Sequence, residues 1–263
     1  MSDRAKKDAR TDPEAKARDS VEPSDQKPQG KLKAFHGNTY DDYYDSAMED
    51  YPLPAKLLMD ACVRILWVVT KLLYPWRFDG VEHLTDDPRG KVIVMNHESM
   101  LDPVALITTL WLRGVKVRTV YKSEFDKIGI ATWFFSRVGG FPVSRGQADM
   151  KTIRRAKAML QRGECVLVYP EGTRVKEDAE AENHAGFAIM AQLAKAPVAP
   201  VAIVGARHLG FRTRVFIRAG AVVEWDEVTA TKRKARVTEM GELGMARVYA
   251  LREELRAEHP GIE

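Results

Sequence analysis

From residue 91 onward, short apolar runs alternate with longer amphipathic stretches, and this alternation limits the fold more than any other feature of the chain. KVIVMN (91–96), VRTVY (117–121), FPVS (141–144), CVLVYP (165–170) and PVAPVAIV (197–204) read as strands, with one or two more in RVFIRAGAVVEW (214–225). Between them PVALITTLWLR (103–113), GIATWFFSRV (129–138), DMKTIRRAKAMLQR (149–162) and HAGFAIMAQLAK (184–195) read as helices, and 239–258 as a last one. Strands separated by helices need crossover connections. The expected fold is therefore α/β, a largely parallel mixed sheet flanked by helices, with no internal repeat.

Upstream the chain changes character. Residues 1–34 are charged and proline-containing, with too little apolar surface to offset the entropy of ordering. The segment NTYDDYYDSAMEDYP (38–52) is acidic and tyrosine-rich. It reads as more tail or as a short docking segment; the tail is preferred, so residues 1–50 are expected to be disordered or weakly ordered. Residues 54–76 read as a helix closed by Pro75 within a 51–77 segment, with Lys56, Asp60, Arg64 and Lys71 on a stripe about 80° wide and an otherwise apolar wheel. That pattern suits a helix lying in a membrane interface, or one packed on the core with its charged stripe in water. Residues 78–258 form the expected main domain.

Several classes are disfavoured. The first ten residues, MSDRAKKDAR, have no apolar centre of the kind a secretory signal needs. No long uncharged apolar run suggests a transmembrane helix. Two cysteines, Cys62 and Cys165, make neither a disulfide framework nor a zinc cluster, so a reducing compartment is expected. Net charge is only +4, but residues 113–162 hold 12 Lys or Arg against 3 Asp or Glu. Such a patch favours an anionic partner: lipid phosphate, a membrane surface or nucleic acid. No nucleic-acid motif accompanies it, which disfavours the last.

Three segments can carry chemistry. Asn96-His97-Glu98-Ser99-Met100-Leu101-Asp102-Pro103 lies between a strand and a helix, where α/β sheets bind ligands. On one helix His97 and Asp102 would point about 140° apart, whereas a turn can bring them together. A carboxylate on one imidazole nitrogen leaves the other as a base. The plain alternatives are a core histidine, and an aspartate N-cap before a proline at the first helical position. Tyr169-Pro170-Glu171-Gly172-Thr173-Arg174 follows another strand: Arg174 suits a phosphate, Glu171 suits that arginine or a substrate hydroxyl, and Gly172 permits a tight turn. Its alternative is a surface turn with a Glu–Arg pair. Gly139 to Gly146 sets Arg145 among glycines after a short strand, an anion site or a solvated loop arginine. The chain has no G-x-S-x-G, P-loop, G-x-G-x-x-G or second zinc-protease histidine. A His–Asp pair without its own nucleophile most simply activates a substrate hydroxyl.

Together these segments resemble the lysophospholipid acyltransferase family that includes 1-acylglycerol-3-phosphate acyltransferases. The family's H-x4-D block matches His97 to Asp102, its arginine-ended strand block Gly139 to Arg145, its E-G-T-R block Glu171 to Arg174, and its V-x-P-V block Val198 to Val201. Lys122-Ser123-Glu124-Phe125 resembles the stretch between the first two, and the likeness spans roughly 78–215. The resemblance implies acyl transfer from acyl-CoA or acyl carrier protein to the free hydroxyl of lysophosphatidic acid, giving phosphatidic acid in phospholipid synthesis. It implies His97 as base, Asp102 as its orienter, and Arg145 and Arg174 on the acceptor phosphate in a pocket shaped by Glu171, Gly172 and Thr173. No metal or prosthetic cofactor is expected, the acyl thioester being a co-substrate. The oxyanion donor is not identified; amides near the 170–174 turn are one candidate. The 54–76 helix with Ile130, Trp133, Phe134 and Phe135 would seat the protein peripherally on the cytoplasmic face of a membrane. Other acceptors (glycerol 3-phosphate, a lyso-aminolipid) and a non-catalytic anionic-lipid binder are the alternatives.

Overall fold

The computed structural model describes residues 37–123, 127–143, 150–172 and 186–262. These form a seven-stranded sheet in the order β1-β7-β6-β2-β5-β3-β4. The strands are β1 (Trp76–Asp79), β2 (Val92–Met95), β3 (Val117–Lys122), β4 (Phe141–Val143), β5 (Cys165–Val168), β6 (Val198–Val204) and β7 (Val215–Ala219). All pairings are parallel except β6 with β7, so β1 and β7 run against the other five. The helices are α1 (Tyr40–Asp45), α2 (Leu53–Leu73), α3 (Glu82–Thr85), α4 (Leu101–Trp111), α5 (Gly129–Arg137), α6 (Met150–Gln161), α7 (Gly186–Ala194) and α8 (Arg233–Glu258).

The apolar runs form strands because both faces of the sheet are covered. Every residue of β2 and β6 is buried. Val92, Val94, Val166 and Val198 pack with α6, α7 and α8 on one face, while Ile93, Met95, Leu167 and Val201 pack with Leu101, Ala105 and Leu106 of α4 on the other. Continuous rather than alternating apolarity is what a doubly covered parallel sheet requires. Pro200 sits inside β6 with its missing N–H at the end of the β6–β7 pairing. Its carbonyl accepts from Gly220 N on the side that β7 has already left, since β6–β7 pairing covers only Val201 to Val204.

Three differences from the sequence reading have physical causes. The 54–76 helix stops at Leu73, Tyr74 closing it, and Trp76–Asp79 becomes an edge strand on β7 too short to show a period. The last helix begins at Arg233, and from 214–225 only Val215–Ala219 forms a strand, with Val223 making a single bridge to Val198. Third, the expected tail 1–50 does not extend to residue 50; residues 1–36 lie outside the described residues, but 37–51 is docked. Thr39 and Asp42 form a capping box on α1, and Tyr43, Tyr44, Met48 and Tyr51 are buried. Their sequence looked too acidic to pack because its partners lie far along the chain. Arg155 pairs with Asp41 (2.5 Å) and Asp45 (2.7 Å), and Lys151 with Asp41. Buried Arg118 donates to the carbonyls of Tyr43 and Ser46, to Tyr51 Oη and to Glu164. Glu164 in turn accepts from Met48 N and Arg162.

This network also revises the basic patch. Arg118, Lys151, Arg155 and Arg162 all belong to 113–162, and this chain's own acidic groups and carbonyls hold them. The charge imbalance in sequence therefore overstates what is left for an anionic partner.

Helix α2 combines features of both readings. Ala55, Met59 and Val63 pack against Ile107, Trp111 and Val138, forming a narrow inner stripe. Leu57, Ile65, Val68, Val69 and Leu72 fall within about 120° on its wheel and are all exposed, Leu72 at 63%. Ile130 and Trp133 of α5 are exposed too, but Phe134 and Phe135 are half-buried, and Phe135 stacks on Tyr121 at 4.8 Å; these two do not face outward as expected. No helix among the described residues is long and apolar enough to cross a membrane.

Candidate active site

Strands β2 and β5 are parallel neighbours, so they release their chains at the same edge of the sheet. The 97–102 loop follows β2 and the 169–172 turn follows β5. Asn96 fixes the release point: its side-chain amide donates to the carbonyl of Ile203 and accepts from Ile203 N, both at 2.9 Å, mimicking one more strand residue.

In the loop that follows, His97 Nδ1 lies 2.9 Å from Asp102 Oδ2. The same oxygen accepts from Glu98 N (2.6 Å) and Ser99 N (2.9 Å), and Oδ1 accepts from Ser99 Oγ (2.9 Å). Asp102 is fully buried, while the His97 side chain is 17% exposed. A carboxylate only accepts, so Nδ1 carries the proton and Nε2 is left with its lone pair. Asp102 is not an N-cap. Helix α4 starts one residue before it, with Met100 at the cap, and Asp102 reaches back to amides that precede the helix. Pro103 still falls in the first turn, where its missing N–H costs little.

The second block braces the first. Gly172 N donates to the carbonyl of Tyr169 at 3.0 Å, closing a turn with Pro170 and Glu171 at its corners and Gly172 at φ +65°. That bond occupies the Gly172 amide, which removes it as an oxyanion donor. Glu171 Oε2 accepts from His97 N at 3.0 Å, and its Oε1 accepts from Tyr249 Oη at 3.4 Å. Burial raises the Glu171 pKa, and the bond from His97 N opposes this. The Tyr169 ring stacks on the imidazole with centroids 4.2 Å apart and planes 27° from parallel. Its hydroxyl is buried without a hydrogen-bond partner, and burial holds it in the phenol form far above the ordinary range.

Glu98 points away from His97. Its Oε2 accepts from Ala206 N at 2.8 Å and its Oε1 has no partner. Burial pushes its pKa up to about 7, against the Ala206 bond and with help from the charge on Asp102. Asp102 is thus the carboxylate that faces the imidazole ring.

His97, Asp102, Glu171 and Gly172 are therefore brought together. Arg145, Thr173 and Arg174 lie outside the described residues, as do Glu124 and Phe125. Strand β4, which leads toward Arg145, ends at the same sheet edge. The V-x-P-V block is β6 itself, beside β2. The roles of Asn96, Glu98 and Tyr169 were not drawn from the sequence, although all three lie within the segments Asn96 to Pro103 and Tyr169 to Arg174. Tyr249, on α8 and far away in sequence, carried no signal at all. Among the described residues no cluster of His, Cys, Asp or Glu suits a metal ion.

Residues 77–204 match the family model described as Acyltransferase. Over those residues the chain is similar to the acyltransferase family. It is 28% identical over 144 residues to a chloroplast 1-acyl-sn-glycerol-3-phosphate acyltransferase of Arabidopsis thaliana, covering 53% of this chain and 39% of that protein. It is likewise 28% identical to the 1-acyl-sn-glycerol-3-phosphate acyltransferase of Bacillus subtilis, covering 55% of this chain and 70% of the relative. The chain thus spans well under half the length of the chloroplast relative. Among solved structures, the 1-acyl-sn-glycerophosphate acyltransferase PlsC of Thermotoga maritima shares the fold, with a TM-score of 0.54 at 21% identity over 75% of this chain and 81% of that one. Every block that the acyltransferase family shares with this chain, from His97 to Val201, falls within the matched residues.

Proposed function

We propose that this protein transfers an acyl group from acyl-CoA or acyl carrier protein to the free hydroxyl of lysophosphatidic acid, giving phosphatidic acid and a free thiol. The observation that carries this reading is the 2.9 Å contact between His97 Nδ1 and a fully buried Asp102. It leaves Nε2 as a base on a partly exposed ring. Nε2 takes the hydroxyl proton as the oxygen attacks the thioester carbonyl. The carbon–sulfur bond then breaks, and the thiolate leaves with the proton from the imidazolium, which Asp102 has stabilised. A positioned base contributes about 10²–10⁴ in rate. The chemistry balances without a metal, a prosthetic group or a covalent enzyme intermediate. The acceptor phosphate is assigned to Arg145 and Arg174. Glu171 supports the His97 backbone, and Gly172 and Thr173 are assigned to the acceptor pocket.

Both substrates carry acyl chains, and the exposed apolar face of α2 supports work at a membrane surface. We place the protein peripherally on the cytoplasmic face. The anionic-lipid binder is the weaker reading, because four of the patch cations are already paired within this chain and the His97–Asp102 geometry would then have no use.

Thiol release from acyl-CoA against lysophosphatidic acid, glycerol 3-phosphate and a lyso-aminolipid tests the proposal. Wild type should release thiol fastest with lysophosphatidic acid, and His97→Ala should release none above background. Equal activity in the variant refutes the mechanism, and a faster rate with another acceptor reassigns the substrate.

A further inference from the structure

The loop between β6 and β7, residues 205–214, has the sequence GARHLGFRTR, four basic or histidine residues with no acid. It leaves β6 at the sheet edge that carries His97, because β6 runs parallel to β2. Both of its ends are anchored. Ala206 N donates to Glu98 in the candidate site, and Arg212 N donates to the carbonyl of Leu73, the last residue of α2, at 2.7 Å. Leu209 packs on the core. The tip is a tight turn in which Thr213 N donates to the carbonyl of Gly210, and Thr213 Oγ1 accepts from Gly210 N at 2.8 Å. Phe211 and Arg212 occupy its two corners, Arg212 at φ +61°.

This built turn presents Phe211 at 81% exposure, the most exposed large apolar side chain among the described residues. His208, Arg212 and Arg214 around it are exposed as well. The turn adjoins the α2 end where Leu72 and Leu73 face outward. A rigid apolar tip ringed by cations is what an anionic bilayer accepts, the ring inserting below the phosphates and the cations lying on them. Holding the tip in place beforehand removes an ordering cost at binding.

We propose that the 205–214 loop is a second membrane-contact element, in which Phe211 inserts into an anionic bilayer and His208, Arg212 and Arg214 engage its headgroups. With α2 it turns the site's edge of the sheet toward the lipid. This rests on the membrane-surface reading given under Proposed function. An acidic protein partner would meet the same cations, but the apolar continuity with α2 favours lipid.

The test uses the full chain with vesicles of phosphatidylcholine, with and without phosphatidylglycerol. Phe211→Ser should weaken partitioning about tenfold, the scale of returning much of a phenyl ring to water. Arg212→Asn with Arg214→Gln should weaken it about tenfold on anionic vesicles only, an effect that high salt erases. KM for a vesicle-borne acceptor should rise in step, while a short-chain acceptor dissolved in water is used as by wild type. The reference variant is Leu72→Ser on α2. If Leu72→Ser weakens binding but the loop variants do not, the loop proposal fails and the membrane reading stands. If wild type binds neither vesicle, the membrane reading itself fails. If the loop variants bind vesicles normally but raise KM only for an acyl carrier protein donor, the loop is a protein-docking site and the proposal is overturned.

Discussion

Tyr169 covers one face of the His97 ring at 4.2 Å while Asp102 holds its edge, so the imidazole is fixed in both plane and rotation. The hydroxyl beyond the stack has no partner. Tyr169→Phe keeps the ring and removes an unsatisfied oxygen, so it should unfold no more easily than wild type and retain most activity. Tyr169→Ala should lose about 2–3 kcal/mol of stability, below the range for fully buried aromatics because the ring is only partly buried. It should also lower kcat more than it raises KM. Denaturant unfolding and thiol-release kinetics on both variants check this, and an equal loss in both would refute the role of the stack.

Asp102→Asn leaves the side-chain shape intact, but its amide can donate to Nδ1 and invert the tautomer that frees Nε2. The kcat should fall about 10²–10⁴-fold, close to the effect of removing the base itself. Pre-steady-state thiol release reports it directly. Combining Asp102→Asn with His97→Ala should add little, because the two residues act as a unit.

Glu98 makes stability depend on pH with a definite sign. Its carboxyl has a folded value of about 7 against an ordinary 4.5, so between those values the native state binds the proton that the unfolded state has lost. The resulting stabilisation is complete below the ordinary value and is lost as pH rises through 7. It amounts to about 3 kcal/mol, on the scale of 1.36 kcal/mol for each pH unit. Glu98→Gln keeps an oxygen for Ala206 N and removes the titration. Unfolding in urea at pH about 5.5 and about 8.5 should show wild type losing stability across the interval and the variant losing about 2 kcal/mol less, the share of the total that falls above pH about 5.5.

The buried Arg118–Glu164 pair makes the docking of 37–51 sensitive to one side chain. Glu164→Ala strands a buried guanidinium and removes the acceptor of Met48 N, and should cost about 3–5 kcal/mol. The exposed Arg77–Asp79 pair is a control: Asp79→Asn should change stability by less than about 1 kcal/mol. Limited proteolysis should cut the Glu164→Ala variant within 37–51 sooner than wild type.

The sheet and its flanking helices were legible because each long apolar run is buried on both faces and each crossover helix has its own stripe. Neither α1 nor β1 was legible, since both are short and their stability comes from residues far along the chain, Arg155 for the first and β7 for the second. At the site, the meeting of His97 and Asp102 could be argued from a strand-to-helix bend. The brace from Glu171 to His97 N could not, because the spacing of two blocks does not reveal that their strands are neighbours. The alternative of Asp102 as an N-cap does not hold, because proline is acceptable anywhere in a first helical turn, so Asp-Pro alone does not fix where the helix begins.

The Arg118 network also sets an order of events for the growing chain. Met48 N bonds to a carboxylate 116 residues downstream, and Arg118 sits beside Glu164 where Val117 pairs with Cys165. The tyrosines of the first docked segment therefore leave the ribosome long before their seat exists. They stay in water, open to chaperones and proteases, until β5 has joined β3. A pulse of protease during synthesis should find this early-made segment among the last parts of the molecule to become resistant.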